Sequence, residues 1–137
     1  MGKIRIVRSS QYLNKRNNFK IMVNGQHIGS LASGEIQEYE VELGKNNLNV
    51  KVDWSVYRSN ELNFQVEENE TKTFNVCINK NINYLTFCNL FVLLTHYALV
   101  SLYDFNYVLW VAIPVVVLMY VYYFTLGRDK YLVLSEA

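Results

Sequence analysis

Two apolar runs in the C-terminal half decide the fold: INYLTFCNLFVLLTHYALVSLY at residues 82–103 and FNYVLWVAIPVVVLMYVYYFTL at residues 105–126. Each run has about 22 residues and would span about 33 Å as a helix, enough to cross a bilayer core of about 30 Å. Only Asp104 and the first residues of the second run separate them, and so short a connection predicts an antiparallel hairpin. Pro114 lies inside the second run, where a membrane helix accommodates it as a kink.

The charged residues outside these runs divide the chain into three parts. The chain has 13 basic and 12 acidic residues, and Asp104 is the only one of them within residues 82–127. We therefore predict a cytosolic domain at residues 1–79, two transmembrane helices within residues 80–127 and a short cytosolic tail at residues 128–137. The near balance of charge argues against a nucleic-acid partner, since such binding relies on a basic surface.

The flanks of the two runs predict their orientation. Lys80 precedes the first run, Arg128 and Lys130 follow the second, and the connection carries Asp104 and no basic residue. Basic flanks stay in the cytosol. The sequence therefore predicts a multi-pass protein of the cytoplasmic (inner) membrane with both termini cytosolic.

The N-terminal half alternates apolar and polar residues with a period of two, which is typical of half-buried antiparallel strands. Turn signals separate the runs, and Asn24-Gly25 is typical of a type I′ hairpin turn. The fold class predicted is therefore mainly β plus membrane α: an antiparallel β-sandwich of six or seven strands, then a two-helix hairpin. The alternating runs are 4–6, 19–23, 39–43, 48–54, 62–66 and 74–78.

Four short motifs in this half resemble the PEGA-type small β-sandwich. They are Val23-Asn24-Gly25-Gln26-His27-Ile28-Gly29, Ser33-Gly34-Glu35, Glu42-Leu43-Gly44-Lys45 and Val50-Lys51-Val52-Asp53. The whole chain is similar to small bacterial membrane proteins in which such a domain is fused to a two-helix hairpin. The resemblance implies a binding or structural module, because PEGA-like domains are usually non-catalytic.

The sequence contains no motif of a phosphate-binding loop, a zinc protease, a CxxC pair or a serine hydrolase. His27 and His96 fall in the domain and in the first apolar run, so we expect no shared metal or catalytic site. We therefore predict a non-enzymatic membrane-anchored binding or adaptor module without catalytic residues, metal or cofactor. The alternative is a membrane-disrupting or pore-forming effector of antiphage defence, gated by a ligand such as a nucleotide or by a protein partner.

Six basic residues precede the first acidic one and form the first candidate site. They could contact anionic lipid, face solvent, or bind a small anionic ligand. These residues are Lys3, Arg5, Arg8, Lys15, Arg16 and Lys20.

A loop with Trp54, Tyr57 and Arg58 is the second candidate site, for a ligand or a protein partner. Trp54 also continues the inward alternation of the preceding run, so closure of the core is the competing interpretation.

Thr86, Asn89 and His96 share one face of the first apolar run and form the third candidate site. Polar groups in lipid tend to face other helices or water. They predict helix–helix contact, within the hairpin or with a second copy in a homo-oligomer, or else a water-lined functional face.

Overall fold

A computed structural model describes residues 1–12, 15–104 and 107–137 of the chain. These residues form two compact units, one of residues 1–79 together with 128–137, and one of residues 80–127. The first unit is built of strands and the second of helices.

Eight strands form the first unit, where the sequence predicted six or seven. They are β1 (Gly2–Arg8), β2 (Phe19–Val23), β3 (Gln26–Leu31), β4 (Ile36–Val41), β5 (Gly44–Val52), β6 (Leu62–Val66), β7 (Thr71–Ile78) and β8 (Leu132–Glu136). The predicted turn at Asn24-Gly25 is confirmed: both residues have positive φ, at 50° and 80°, and they join β2 directly to β3.

The strands form two four-stranded sheets in a sandwich-like arrangement. One sheet has the order β4-β1-β7-β8 and the other β3-β2-β5-β6. All neighbours are antiparallel except β1 and β7, which pair in parallel. The expectation of a wholly antiparallel sandwich is therefore wrong at this pair, because a long connection separates β1 from β7 and allows either direction.

The core lies between the two sheets and is filled by the inward-facing residues of both. Ile4, Ile6 and Phe74 from the first sheet and Ile21 and Val50 from the second are fully buried. The rings of Phe64 and Phe74 meet edge to face with centroids 5.0 Å apart, so the two sheets contact each other directly. The period-two alternation in the sequence is the cause of this inner face.

The strand β8 follows the helices in the sequence but belongs to the first sheet. It pairs antiparallel with β7, and Leu132 and Leu134 are 1% and 3% exposed. The segment that the sequence analysis treated as a tail thus contains an edge strand. The two helices are inserted between β7 and β8, which are hydrogen-bonded neighbours.

The second unit contains two helices, α1 (Lys80–Tyr103) and α2 (Val108–Thr125). Each is long and apolar enough to cross a membrane, and the most apolar stretch of each has no buried residue. Pro114 lies within α2. The predicted start of the second apolar run, Phe105 and Asn106, lies outside the described residues.

Candidate functional site

The chain leaves the sandwich and returns to it at one place, which we call the connection end. It comprises Asn79, residues 128–131 and the β5–β6 loop (residues 53–61). The backbone N–H of Asn79 donates to the carbonyl of Tyr131 at 2.9 Å, and its side-chain amide donates to the carbonyl of Lys130 at 3.0 Å. The last residue before α1 is therefore bound to Lys130 and Tyr131, the residues that lead from the helical unit into β8.

Two residues of the predicted ligand loop bind this returning segment. The Tyr57 ring stacks on Tyr131 with centroids 4.2 Å apart. The backbone N–H of Arg58 donates to the carbonyl of Arg128 at 3.0 Å, and its guanidinium pairs with Asp129. The chain itself thus contacts Tyr57 and Arg58, the two residues that were predicted to bind a ligand or a protein partner.

This ion pair shifts the pKa values of both of its members in the direction that favours their charged forms. The hydrogen bond from Arg58 holds the pKa of Asp129 below its usual value, and the carboxylate raises the pKa of Arg58. Both side chains are partly exposed, at 49% and 33%, so water screens the attraction.

The third residue of this loop, Trp54, does not close the core. Its side chain is 98% exposed, and its backbone has a φ of 58°, in the left-handed region that bulky residues rarely adopt. A carboxylate oxygen of Asp53 accepts from the Trp54 N–H at 3.0 Å and pairs with Lys20 at 2.7 Å. The alternation that favoured an inward Trp54 ends where β5 ends, at Val52, because the left-handed turn breaks the period of two.

The six basic residues of the first candidate site do not form one surface. Arg5 pairs with Glu38 at 2.6 Å, and Lys3 lies opposite Glu40 in the β1–β4 register. The acidic strand β4 thus complements the basic outer face of β1. Lys15 and Arg16 are exposed in the β1–β2 loop.

The structure places the remaining member, Arg8, inside the sandwich, where it cannot reach a membrane surface. It is 3% exposed and donates to the carbonyls of Asn17 at 2.7 Å and Leu31 at 2.8 Å. Its guanidinium lies 3.5 Å from the centre of the Phe19 ring. Burial lowers the pKa of Arg8. The sequence contained a signal for this burial that was missed. Arg8 is four and two residues from the buried Ile4 and Ile6, so the period of two places it on the same inward face of β1.

In the helical unit, the three polar residues of the third candidate site have different surroundings. The Thr86 hydroxyl donates to the carbonyl of Ile82 at 3.1 Å, within its own helix. The Asn89 amide donates to the Tyr120 hydroxyl of α2 at 3.3 Å. His96 Nδ1 is buried and has no hydrogen-bond partner among the described residues. Asn89 is thus bonded to the other helix, whereas His96 Nδ1 has no partner in the part of the chain that the structure describes.

His96 lines a groove between the helices together with Trp110 and Pro114. Because proline has no N–H, Pro114 leaves the carbonyl of Trp110, four residues earlier, without its usual helical donor. The groove therefore combines an unpaired imidazole nitrogen with a backbone acceptor in otherwise apolar surroundings.

A polar cleft of about 510 Å³ lies at the end of the sandwich opposite the connection end. The strand β5 passes the cleft at Asn46 and Asn47 and ends at Val52 beside Trp54, so about 17 Å of strand separates the cleft from Trp54. Its asparagines bind one another: the Asn24 amide donates to Asn46 at 2.8 Å, and Asn47 donates to Asn63 at 3.0 Å. Lys45 adds a basic side chain to the lining.

Within residues 1–12, 15–104 and 107–137, no three His, Cys, Asp or Glu side chains are grouped as a metal ion would require. Comparison of the chain with protein-family models, with curated proteins and with solved structures finds no match. The resemblance to PEGA-type domains therefore stays a prediction.

Proposed function

We propose that the chain is a membrane-anchored binding or adaptor module, whose two helices span the cytoplasmic membrane and hold the sandwich at its cytosolic surface. The observation that carries this proposal is the insertion of α1 and α2 between the neighbouring strands β7 and β8. Because both ends of the helical unit start from one folded sheet, both helices must begin on the same side of a membrane.

The surface of the helices supports this proposal. Phe91, Tyr97 and Leu118 are among the large apolar side chains that are more than half exposed in this unit. In water such a surface would be strongly unfavourable, at about 25 cal/mol for each Å² of apolar area, whereas in lipid it is the preferred surface.

The charges at the helix ends support a cytosolic sandwich. Lys80 is the first residue of α1, and Arg128 and Lys130 lie in the short 3₁₀ helix that follows α2. Asp104 follows α1 at the other end of the unit. This is the asymmetry expected when the connection between the helices is translocated.

The polar cleft is the surface of the sandwich most suited to a partner in the aqueous phase. It lies at the end away from the helix attachments, and its amides and Lys45 fit a polar or anionic group. The partner is either a protein segment or a small anionic ligand. A photo-reactive residue placed at Gln65, in the cleft, should cross-link a partner that binds there. The same residue placed at Lys3, outside the cleft, measures the background of non-specific labelling.

Membrane extraction combined with reporter fusions tests the proposal. The full chain should stay in the membrane pellet after carbonate washing, and fusions at Met1 and Ala137 should both be active only with cytosolic reporters. A protein released by carbonate, or a C-terminal fusion active in the periplasm, would contradict it.

A second candidate function, a membrane effector, is favoured by the groove at His96. If ligand binding moved β7 against β8, both helix ends would move, and the unpaired Nδ1 could then meet water or a second copy. Overexpression would distinguish the two functions. The effector would depolarise cells and arrest growth, an effect lost in His96→Leu, whereas the adaptor would leave the membrane potential unchanged.

A further inference from the structure

We propose that Trp54 and the neighbouring basic loop form an interfacial anchor that binds the headgroup region of an anionic bilayer. The basic loop consists here of Lys15 and Arg16, the exposed residues before Asn17. This inference rests on the proposed function, because it needs the helices to be in the membrane, and it adds a second attachment that the sandwich makes by itself.

The hydrogen bonds of the sandwich place Trp54 at the connection end. The Tyr57 carbonyl accepts from Val52 at 3.0 Å, which closes the loop on either side of Trp54, and Tyr57 stacks on Tyr131. The backbone carbonyl of Tyr131 in turn accepts from the backbone N–H of Asn79, the last residue before α1. The tip of the loop is therefore only a few contacts from Asn79, where the chain leaves the sandwich for α1, the helix that the proposed function assigns to the bilayer.

Other hydrogen bonds bring the basic loop to the connection end. The Asp53 N–H donates to the carbonyl of Asn18 at 2.9 Å, and the next carbonyl toward the N-terminus, that of Asn17, is held by the buried Arg8. Lys15 and Arg16 immediately precede these fixed residues. Gln11 is bound on the other side of the loop, where its side-chain oxygen accepts from the Ile78 N–H at 2.6 Å.

The conformation of Trp54 indicates that its exposure is built into the fold. A φ of 58° is strained for a tryptophan, and it persists because Asp53 binds the Trp54 N–H and pairs with Lys20. Lys20 Nζ also lies 5.9 Å from the centre of the indole ring. The loop thus fixes a large amphipathic ring outward, next to positive charge.

These properties fit a lipid interface better than an aqueous surface. Tryptophan is the residue that membrane proteins concentrate at the level of the headgroups, where its ring is apolar and its N–H stays hydrated. Lysine and arginine beside it are attracted to anionic lipids of the cytosolic leaflet. The exposed Val56 adds apolar surface to the same loop.

The chain offers a direct test because it has two tryptophans, Trp54 in the loop and Trp110 in α2. The full chain would be placed in vesicles of phosphatidylcholine and phosphatidylglycerol as Trp110→Phe, which reports on Trp54 alone, and as Trp54→Phe, which reports on Trp110 alone. Lipids brominated at shallow or deep acyl positions would quench each emission. We expect Trp54 to be quenched about twofold more by shallow than by deep bromines, and its emission to be shifted to the blue.

The two reporters separate failure of the inference from failure of the proposed function. Quenching of Trp110 without quenching of Trp54 would overturn the interfacial anchor and leave the membrane helices intact. Absence of quenching at both positions would overturn both proposals. A Trp54 that is shielded from iodide but not quenched by lipid would show that a protein surface covers it, which also overturns the anchor.

A charge reversal tests the basic loop with a matched control. Arg16→Glu should reduce the shallow quenching of Trp54 about twofold in anionic vesicles and leave it unchanged in neutral ones. Lys3→Glu makes the same change of charge at the start of β1, at the opposite end of the sandwich, and should have no effect. Equal effects of the two variants would overturn the role of the basic loop.

Discussion

Arg58 and Asp129 form an ion pair that joins the β5–β6 loop to the segment after α2, across 71 positions of sequence. The neighbouring Tyr57–Tyr131 stack and the bond from Asn79 to Tyr131 lie at the same place. The sandwich thereby fixes both the departure of the chain to the helices and its return.

The ion pair predicts a pH-dependent loss of stability in Asp129→Asn. Arg58 lowers the pKa of Asp129 in the folded state, so the ionised form favours folding above the unfolded pKa, near 4, and this stabilisation is lost as the pH falls through the folded value. Because both groups are partly exposed, we expect the variant to lower the melting temperature by up to about 5 °C at pH 7, and by less at pH 3.

Circular dichroism of the full chain in nanodiscs would measure this difference. Glu68→Gln, at an exposed turn residue, removes the same charge elsewhere and serves as the control. Identical melting of Asp129→Asn and the control at both pH values would show that the pair contributes nothing.

The burial of β8 predicts that Leu134→Ala strongly destabilises the sandwich. Leu134 is 3% exposed, and removing a buried leucine side chain costs about 2–5 kcal/mol of unfolding free energy. Val133, the next residue, is 38% exposed, so Val133→Ala should cost less than about 1 kcal/mol. Urea unfolding of the full chain measures both values, and equal costs would mean that β8 is not packed against the core.

The interior position of Arg8 predicts that Arg8→Ala destabilises the sandwich more than Arg5→Ala. The first change leaves the carbonyls of Asn17 and Leu31 without their donor, at about 2–4 kcal/mol, whereas the second removes an exposed ion pair worth less than about 1 kcal/mol. Urea unfolding checks the order. A reversed order would place Arg8 at the surface instead.

The polar face of α1 predicts self-association of the helices. Asn89 has a partner in Tyr120, but His96 Nδ1 has none among the described residues, and a second copy could supply one. Changing Asn89 and His96 together to Leu should weaken dimerisation about threefold to tenfold in fluorescence transfer measurements in vesicles.

Cysteine cross-linking along α1 tests the same prediction by position, after Cys77 and Cys88 are replaced. Cross-links should be strongest at Asn89, Leu93 and His96. Strongest cross-linking at Phe87, Phe91 and Leu94 would mean that the opposite face of the helix forms the contact.

Most of the fold could be predicted from the sequence, because one part alternates with a period of two and the other consists of two long apolar runs. Alternation in residues 3–78 indicated the strands, and the uncharged runs indicated both helices. The strand β8 could not be predicted in this way, since five residues after a long apolar segment carry too short an alternation, and their pairing with β7 depends on tertiary structure. The parallel pairing of β1 with β7 likewise depends on tertiary structure.

The candidate sites were predicted less well, because the sequence shows residue types and not their partners. The outward Trp54 depends on a left-handed backbone at one position, and the use of Tyr57 and Arg58 depends on residues about 70 positions away. The helix contact at Asn89 was easier to anticipate, since polar residues in an apolar helix have few alternatives to a partner on another helix.

The insertion of α1 and α2 between β7 and β8, with both helices in the membrane as proposed, is tested most directly by a disulfide between these two strands in isolated membranes. Cys77 lies opposite Val133 in the register, so Val133→Cys, combined with Cys88→Ser, places two thiols at a distance that a disulfide can close. In carbonate-washed membranes, oxidation should protect both thiols from a maleimide reagent until a reductant is added. The control protein carries Glu136→Cys instead of Val133→Cys, together with Cys88→Ser, and its thiols should stay reactive after oxidation because position 136 is not opposite Cys77. Free thiols in the Val133→Cys protein after oxidation, with the protein still in the membrane pellet, would contradict the account.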